Sequence, residues 1–218
     1  MVACLPACRY IAPIRRRALY VRWCGKRVVT DLLTGKELSV FRGERLVLRG
    51  VSLAVTAGGA LVLRGDNGTG KSTLLRTLAG LTPLAAGQIL WNGAPALADF
   101  PSHAARIAWL GHLDAVKPSL SVAEHVADQG ALVAVGLERF AALPARFLSA
   151  GQRRRLALAR VAASGRPLWL LDEPTTGLDA TSVARFAALC AQHRAAGGMI
   201  ITSTHMALDL PGAEVLAL

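Results

Sequence analysis

Cysteine, acidic residues and long apolar runs are all in short supply in this 218-residue chain, and each shortage removes a class of protein. Four cysteines, three of them within the first 24 residues, cannot staple a chain of this size. Nor is a staple needed, because a domain of such length buries roughly 70% of the surface of its unfolded chain. The longest uncharged run, Thr77 to Ala98, is long enough to span a bilayer but is broken by Gly80, Pro83, Gly87, Gly93 and Pro95 and carries Gln88 and Asn92. No transmembrane helix is expected. With 53% apolar residues the chain is too hydrophobic to be disordered, and its length suits one domain, or one with a small appendage.

Acids number 14 against 25 Lys and Arg, a net charge of +11 that points toward polyanions. The excess is uneven. Residues 1–30 hold Arg9, Arg15, Arg16, Arg17, Arg22, Lys26 and Arg27 and no acid, which leaves 18 cations against 14 acids for the remainder. A basic groove for nucleic acid therefore has little support in the main body, and no nucleic-acid partner is expected. Residues 1–34 read as a basic N-terminal extension, poorly ordered or the product of an upstream start codon. A secretory signal would place its cations before its apolar stretch, the reverse of the order here, and a transit peptide would carry serine, whereas the first serine is Ser39. Cys4, Cys8 and Cys24 have the wrong spacing for zinc.

From Leu38 onward the pattern is regular. Leu46–Leu48 and Val51–Val55 read as two short strands, and Ala60–Leu63 as a continuous apolar strand of the kind buried on both faces of a parallel sheet. Ser72–Ala79 reads as a helix stopped by Gly80. Leu168–Leu171 and Met199–Thr202 repeat the buried-strand pattern, with a helix over Val183–Ala195 between them. Strand, helix and strand in this order imply right-handed βαβ units and a mostly parallel sheet.

Between the first such strand and its helix lies Gly65-Asp66-Asn67-Gly68-Thr69-Gly70-Lys71-Ser72-Thr73, a match to G-x-x-x-x-G-K-[ST]. Successive backbone N–H groups can turn inward on phosphate oxygens only where glycines tolerate positive φ and present no Cβ, and the following helix N-terminus adds partial positive charge. Lys71 would reach the β- and γ-phosphates, Ser72 the Mg²⁺ of the nucleotide, and Thr73 with the loop amides the α-phosphate. A chance match in a chain of this length is of the order of one in a hundred.

Leu168-Trp169-Leu170-Leu171-Asp172-Glu173 is an apolar strand ending in two acids. Acids often end strands merely for solubility, but beside a phosphate loop they suit a metal-holding Asp172 and a Glu173 that orients or deprotonates the attacking water.

Three further motifs complete a set: Leu148-Ser149-Ala150-Gly151-Gln152, Pro174-Thr175-Thr176-Gly177-Leu178-Asp179, and Thr204-His205. In content and order the set resembles the nucleotide-binding subunits of ATP-binding cassette (ABC) transporters, from about Leu38 to the C-terminus. Ala150 replaces the first glycine of the family's signature. The resemblance implies an α/β P-loop NTPase with a mostly parallel central sheet, an antiparallel β subdomain and a small helical subdomain near 95–165, the whole ATPase domain spanning 35–218. It implies a homodimer in which Ser149, Gly151 and Gln152 act in trans on the partner's ATP, Asp179 communicates between the sites, and His205 contacts the γ-phosphate and holds Glu173 and the water. Phe41, about 24 residues before Gly65, is the candidate to stack on adenine, although a core or surface role suits it nearly as well. The run Arg153-Arg154-Arg155 reads as a solvated helix face, with support of the anionic interface as the alternative.

One departure is informative. Where the family has a strand followed by Gln, this chain has Ile107-Ala108-Trp109-Leu110-Gly111-His112, so His112 takes the place of a residue that meets Mg²⁺ and the lytic water. With Leu63-Arg64-Gly65, Leu90-Trp91 and the stretch from Leu148 to Arg154, this is similar to the ATPase subunits of cytochrome c maturation transporters, the haem exporters. That resemblance implies ATP with Mg²⁺, integral membrane subunits of the CcmB and CcmC kinds, and a peripheral place on the cytoplasmic face of the inner membrane. Another small exporter ATPase, for peptide or lipid, is the alternative. A chromosome-organising ATPase is excluded, because only 83 residues separate Gly65 from Ser149 and they hold no long coiled coil.

Overall fold

A computed structural model describes residues 22–23, 26–27, 31–205 and 208–218. The cysteines and most of the cations of the basic extension lie outside the described residues, save that Arg22–Trp23 pairs antiparallel with Lys26–Arg27.

Two sheets carry the structure. One is antiparallel: β1 (Leu32–Arg42) pairs with β2 (Arg45–Thr56) on one side and β4 (Ala86–Trp91) on the other, and β4 pairs with the short β5 (Ala94–Pro95). β1 starts at Leu32, three residues ahead of the expected boundary, and Leu33 is fully buried, so Leu32–Thr34 belong to the folded body. The two strands expected over 46–48 and 51–55 are one, because Gly50 adopts a φ of +61° and carries a single strand through an irregular register.

The second sheet is parallel throughout, in the order β9-β3-β8-β7-β6, built from β3 (Ala60–Arg64), β6 (Ile107–Leu110), β7 (Leu168–Asp172), β8 (Met199–Ser203) and β9 (Glu214–Ala217). Its central strands are apolar at nearly every position because both faces are covered. Alternation of side chains sends Leu61, Leu63, Leu168, Leu170, Met199 and Ile201 to a core shared with α1 (Lys71–Leu78) and the antiparallel sheet. It sends Val62, Trp169, Leu171 and Ile200 to the opposite core, which holds Ala157, Leu158 and Val161 of α5 (Ala150–Ala162) and Phe186 and Cys190 of α6 (Ala180–Ala195). Burial pushes the Cys190 thiol up to about 12, so it behaves as a small apolar side chain.

A third core joins α3 (Val122–His125), α4 (Gln129–Val135) and the first half of α5 through Val122, Leu132, Leu137 and Leu156. Within the stretch expected to be helical, α2 (Phe100–Ala105) is followed by β6, which joins the parallel sheet as its edge strand because Ile107, Ala108 and Leu110 are apolar and buried.

The mixed α/β architecture positions the chemistry by one rule. Parallel strands end on the same side, so Gly65 after β3, Gly111 after β6, Asp172 at the end of β7 and Ser203 at the end of β8 all reach one edge of the sheet.

Candidate active site

Register and alternation decide what meets what at that edge. Leu63, Ser203 and Asp172 are partners across three adjacent strands. Asp172 and Ser203 continue the alternation of Leu168, Leu170 and of Met199, Ile201, which places both on the face covered by α1. There Ser72, in the first turn of α1, donates its Oγ proton to Asp172 Oδ1 over 3.0 Å, and Ser203 Oγ donates to the same oxygen over 2.7 Å. Asp172 is 5% exposed, and hydroxyls answer its buried charge.

The loop before α1 is shaped by its glycines, with φ of +146° at Gly65, +85° at Gly68 and +109° at Gly70. Gly70 is also the N-cap, where a Cβ would stand 2.7 Å from a methyl of Leu48 and 3.0 Å from Val47. β2 thus packs closely on the loop, and the left-handed φ together with that approach favours glycine here. No side chain caps α1 and no acid lies in its first turn, so its leading N–H groups face outward as an anion site. Lys71 is mostly buried, and its Nζ donates to the carbonyls of Gly65 and Asp66 over 2.7 and 2.9 Å, which holds the ammonium across the mouth of the loop. Asp66, Asn67 and Gly68 are exposed along its outer edge, while Thr69 Oγ1 donates to the Asp66 carbonyl and Thr73 is buried under the helix.

Glu173, the residue after Asp172, has a φ of +49°, a left-handed conformation that costs a non-glycine residue about 1 kcal/mol or more. Its N–H donates to the Ser203 carbonyl and to Ser203 Oγ, at 3.2 and 3.1 Å. Its carboxylate meets His205 twice: the backbone N–H of His205 donates to Oε2 over 3.3 Å, and His205 Nε2 lies 3.4 Å from Oε1. Oε1 is shielded from solvent and accepts no hydrogen bond among the described residues, with His205 Nε2 as its ion-pair neighbour.

The signature residues form the N-terminus of α5. Ser149 is its N-cap, and a capping box joins it to Gln152: Gln152 N–H donates to Ser149 Oγ over 3.2 Å and Ser149 N–H to Gln152 Oε1 over 2.7 Å. Ser149 and Ala150 are exposed. A Cβ on Gly151 would stand 3.2 Å from the Gly177 carbonyl oxygen, so the signature rests on the turn that leads to Asp179. Asp179 is exposed and N-caps α6 by accepting the Ser182 N–H over 2.7 Å. That backbone bond first, then the Ser182 hydroxyl and the charges of Arg155 and Arg185, holds its carboxyl below the usual aspartate range.

Not every expected residue joins the cluster. His112 is exposed on the loop after β6, and no hydrogen bond links it to Ser72, Asp172 or Glu173 among the described residues. Phe41 is 52% exposed near the tip of the β1–β2 hairpin, opposite Leu46 and beside the Val47 that touches Gly70, which puts an open aromatic face at the phosphate-loop end of the antiparallel sheet.

Two residues of the site carry little signal in the sequence. Ser203 falls just past the strand expected over Met199–Thr202, and only its place before Thr204-His205 sets it apart, whereas the strand runs on to include it. The arginine run is no solvated face either: Arg154 is buried at 5% exposure, because carbonyl oxygens and Asp114 surround its guanidinium. Arg153 and Arg155 turn to the Leu148 and the Val135 and Gly136 carbonyls.

A loop of the G-x-x-x-x-G-K-[ST] pattern at the edge of a parallel sheet, with a buried aspartate and an adjacent glutamate on the facing strand, is the arrangement of P-loop nucleotide hydrolases, and the exposed N-terminus of the signature helix narrows it to the cassette type. The family model described as ABC transporter matches residues 48–176, and the chain belongs to that family as an ATP-binding, ATP-hydrolysing subunit. It is similar to the protein named cytochrome c biogenesis ATP-binding export protein CcmA from Paramagnetospirillum magneticum, 49% identical over 201 residues that cover 85% of this chain and 93% of that one. The protein of the same name from Rhodospirillum rubrum is 48% identical over 199 residues, covering 86% and 85%. Among solved structures, one described as the ATP-binding subunit of an ABC transporter superposes with a TM-score of 0.74 at 25% identity, covering 80% of each chain. No helix among the described residues is long and apolar enough to cross a membrane.

Proposed function

We propose that this chain is the ATP-hydrolysing subunit of an ABC transporter complex that acts in cytochrome c maturation, in haem export or in release of a haem chaperone. Its similarity to the CcmA proteins supports the process, and the grouping of Ser72, Asp172, Ser203, Glu173 and His205 at one sheet edge carries the chemistry. Membrane subunits of the CcmB and CcmC kinds would receive the work, and the ATPase would sit peripherally on the cytoplasmic face of the inner membrane.

The chain's own residues suggest the steps. The loop amides, Lys71 and Thr73 bind and orient the triphosphate, and Phe41 offers a face to adenine. Mg²⁺ fits the site, since the Ser72 hydroxyl and the Asp172 carboxylate supply the hard oxygen donors it takes. When bound, it would neutralise charge on the β- and γ-phosphates. Glu173 takes the proton of the attacking water, and His205 orients that carboxylate from its exposed side. Ser149, Gly151 and Gln152 act on the ATP of a second copy, so that turnover needs a homodimer. Asp179 bridges the two sites through the turn beneath Gly151.

The test is Glu173→Gln in the full chain, with ATP binding and hydrolysis measured separately. Binding is expected to persist while turnover falls by about two to four orders of magnitude. Unaltered hydrolysis would remove Glu173 from its role.

A further inference from the structure

Arg154 stands in the second turn of α5, the helix that begins at the signature, and its side chain is buried. All five N–H donors of its guanidinium are answered. Nε donates to the Pro174 carbonyl over 3.2 Å, and Nη2 donates to the Asp172 carbonyl over 3.0 Å and to the Glu173 carbonyl. Nη1 donates to the Gly111 carbonyl over 3.1 Å and to Asp114 Oδ1 over 3.0 Å.

The acceptors explain one another. Along a strand successive carbonyls point to opposite edges, so three in a row can converge on one cation only where the backbone curls. Glu173, with its φ of +49°, is that curl. Arg154 from one side and Ser203 from the other therefore hold the peptide groups on either side of Glu173. The same guanidinium grips the residue before His112. One side chain on the signature helix thus secures both the curl that aims Glu173 and the loop that carries His112.

We propose that Arg154 is a positioning residue for Glu173, which fixes the carboxylate relative to the bound triphosphate and ties its placement to the signature helix. The proposal rests on the reading of Glu173 as base. A planar guanidinium with five directed donors is required, and lysine, a compact charge with three donors, cannot replace it.

The experiment compares Arg154→Lys and Arg154→Gln in the full chain, each alone and combined with Glu173→Gln. Each single variant is expected to lower kcat by about a hundredfold with KM for ATP within about twofold, the signature of a misplaced group rather than lost binding. Amide exchange followed by mass spectrometry should speed up over residues 172–178 and stay unchanged over β3. In the Glu173→Gln background, the single-turnover rate should fall no further when Arg154 is changed. An Arg154 loss of equal size in that background, or a loss of ATP binding that matches the loss of kcat, overturns the proposal. Normal hydrolysis by Glu173→Gln alone would instead defeat the reading of the base, and the exchange pattern would still report on the clamp. Should both Arg154 variants fail to fold, Asp114→Asn removes the charge from one acceptor of the five at a quarter-exposed side chain. It should give a smaller fall in kcat with the same unchanged KM, and unchanged kcat would overturn the proposal.

Discussion

Ser203 Oγ lies 2.7 Å from Asp172 Oδ1, one rung across the parallel ladder, while also accepting the N–H of Glu173. A strand serine thus serves the two adjacent acids of the site. Ser203→Ala leaves the Glu173 N–H its bond to the Ser203 carbonyl but strips one donor from a buried carboxylate. A loss of about 1–3 kcal/mol in denaturant stability is expected, together with a lower kcat. Unfolding curves and ATPase rates measured side by side check it.

Asp179 predicts a pH dependence. Its carboxyl is held below the usual aspartate range, chiefly by the Ser182 backbone N–H, so the charged form is the one favoured by folding. The contribution is fully present above the ordinary aspartate range and is lost as pH falls through the lowered value. Asp179→Ala should therefore have a lower Tm than the native chain at neutral pH, and the gap should close on acidification. Asp179→Ser, which can still cap α6, should recover part of the difference.

The resemblance to ABC transporter ATPases implies glutamine at the position that His112 holds in this chain. Imidazole and amide offer different atoms to a metal ion or a water. His112→Ala is expected to lower kcat for ATP hydrolysis by about tenfold while His112→Gln keeps most of it, as measured by steady-state ATPase rates. Equal rates for the native chain and His112→Ala would separate His112 from the chemistry.

Among the described residues, the core reaches back as far as β1. β1 starts at Leu32 and Leu33 is fully buried, so a deletion must stop short of Asp31, whose carboxylate accepts from Asn92. Removal of residues 1–30 should leave ATP affinity within about twofold, as measured by nucleotide fluorescence titration. A deletion through Thr34 should destabilise the domain, because it opens the core at Leu33.

Much of the site was legible in the sequence because its signals are local. The phosphate loop needs its glycines, lysine and serine in one run, the acids follow their strand directly, and the capping box of Ser149 and Gln152 spans a single turn. β9 was less so: Glu214–Ala217 is short and largely exposed, and it is a strand because the edge of β3 is there to pair with it. Arg154 and Ser203 were illegible for a related reason. Nothing near Arg154 in the chain sets it apart from Arg153 and Arg155, and its acceptors lie 18 to 43 residues away.

By itself, then, the sequence determined the class of the protein, the glycine-rich loop before α1 and the two acids at the end of β7, since each is a contiguous pattern with a contiguous physical demand. The tertiary structure decided which arginine is buried, which serine supports Asp172, and how the signature helix is joined to Glu173. Those contacts come from strand register, from the alternation that puts Asp172 and Ser203 under α1, and from the convergence of carbonyls around one left-handed residue, and such features exist only once distant segments have packed.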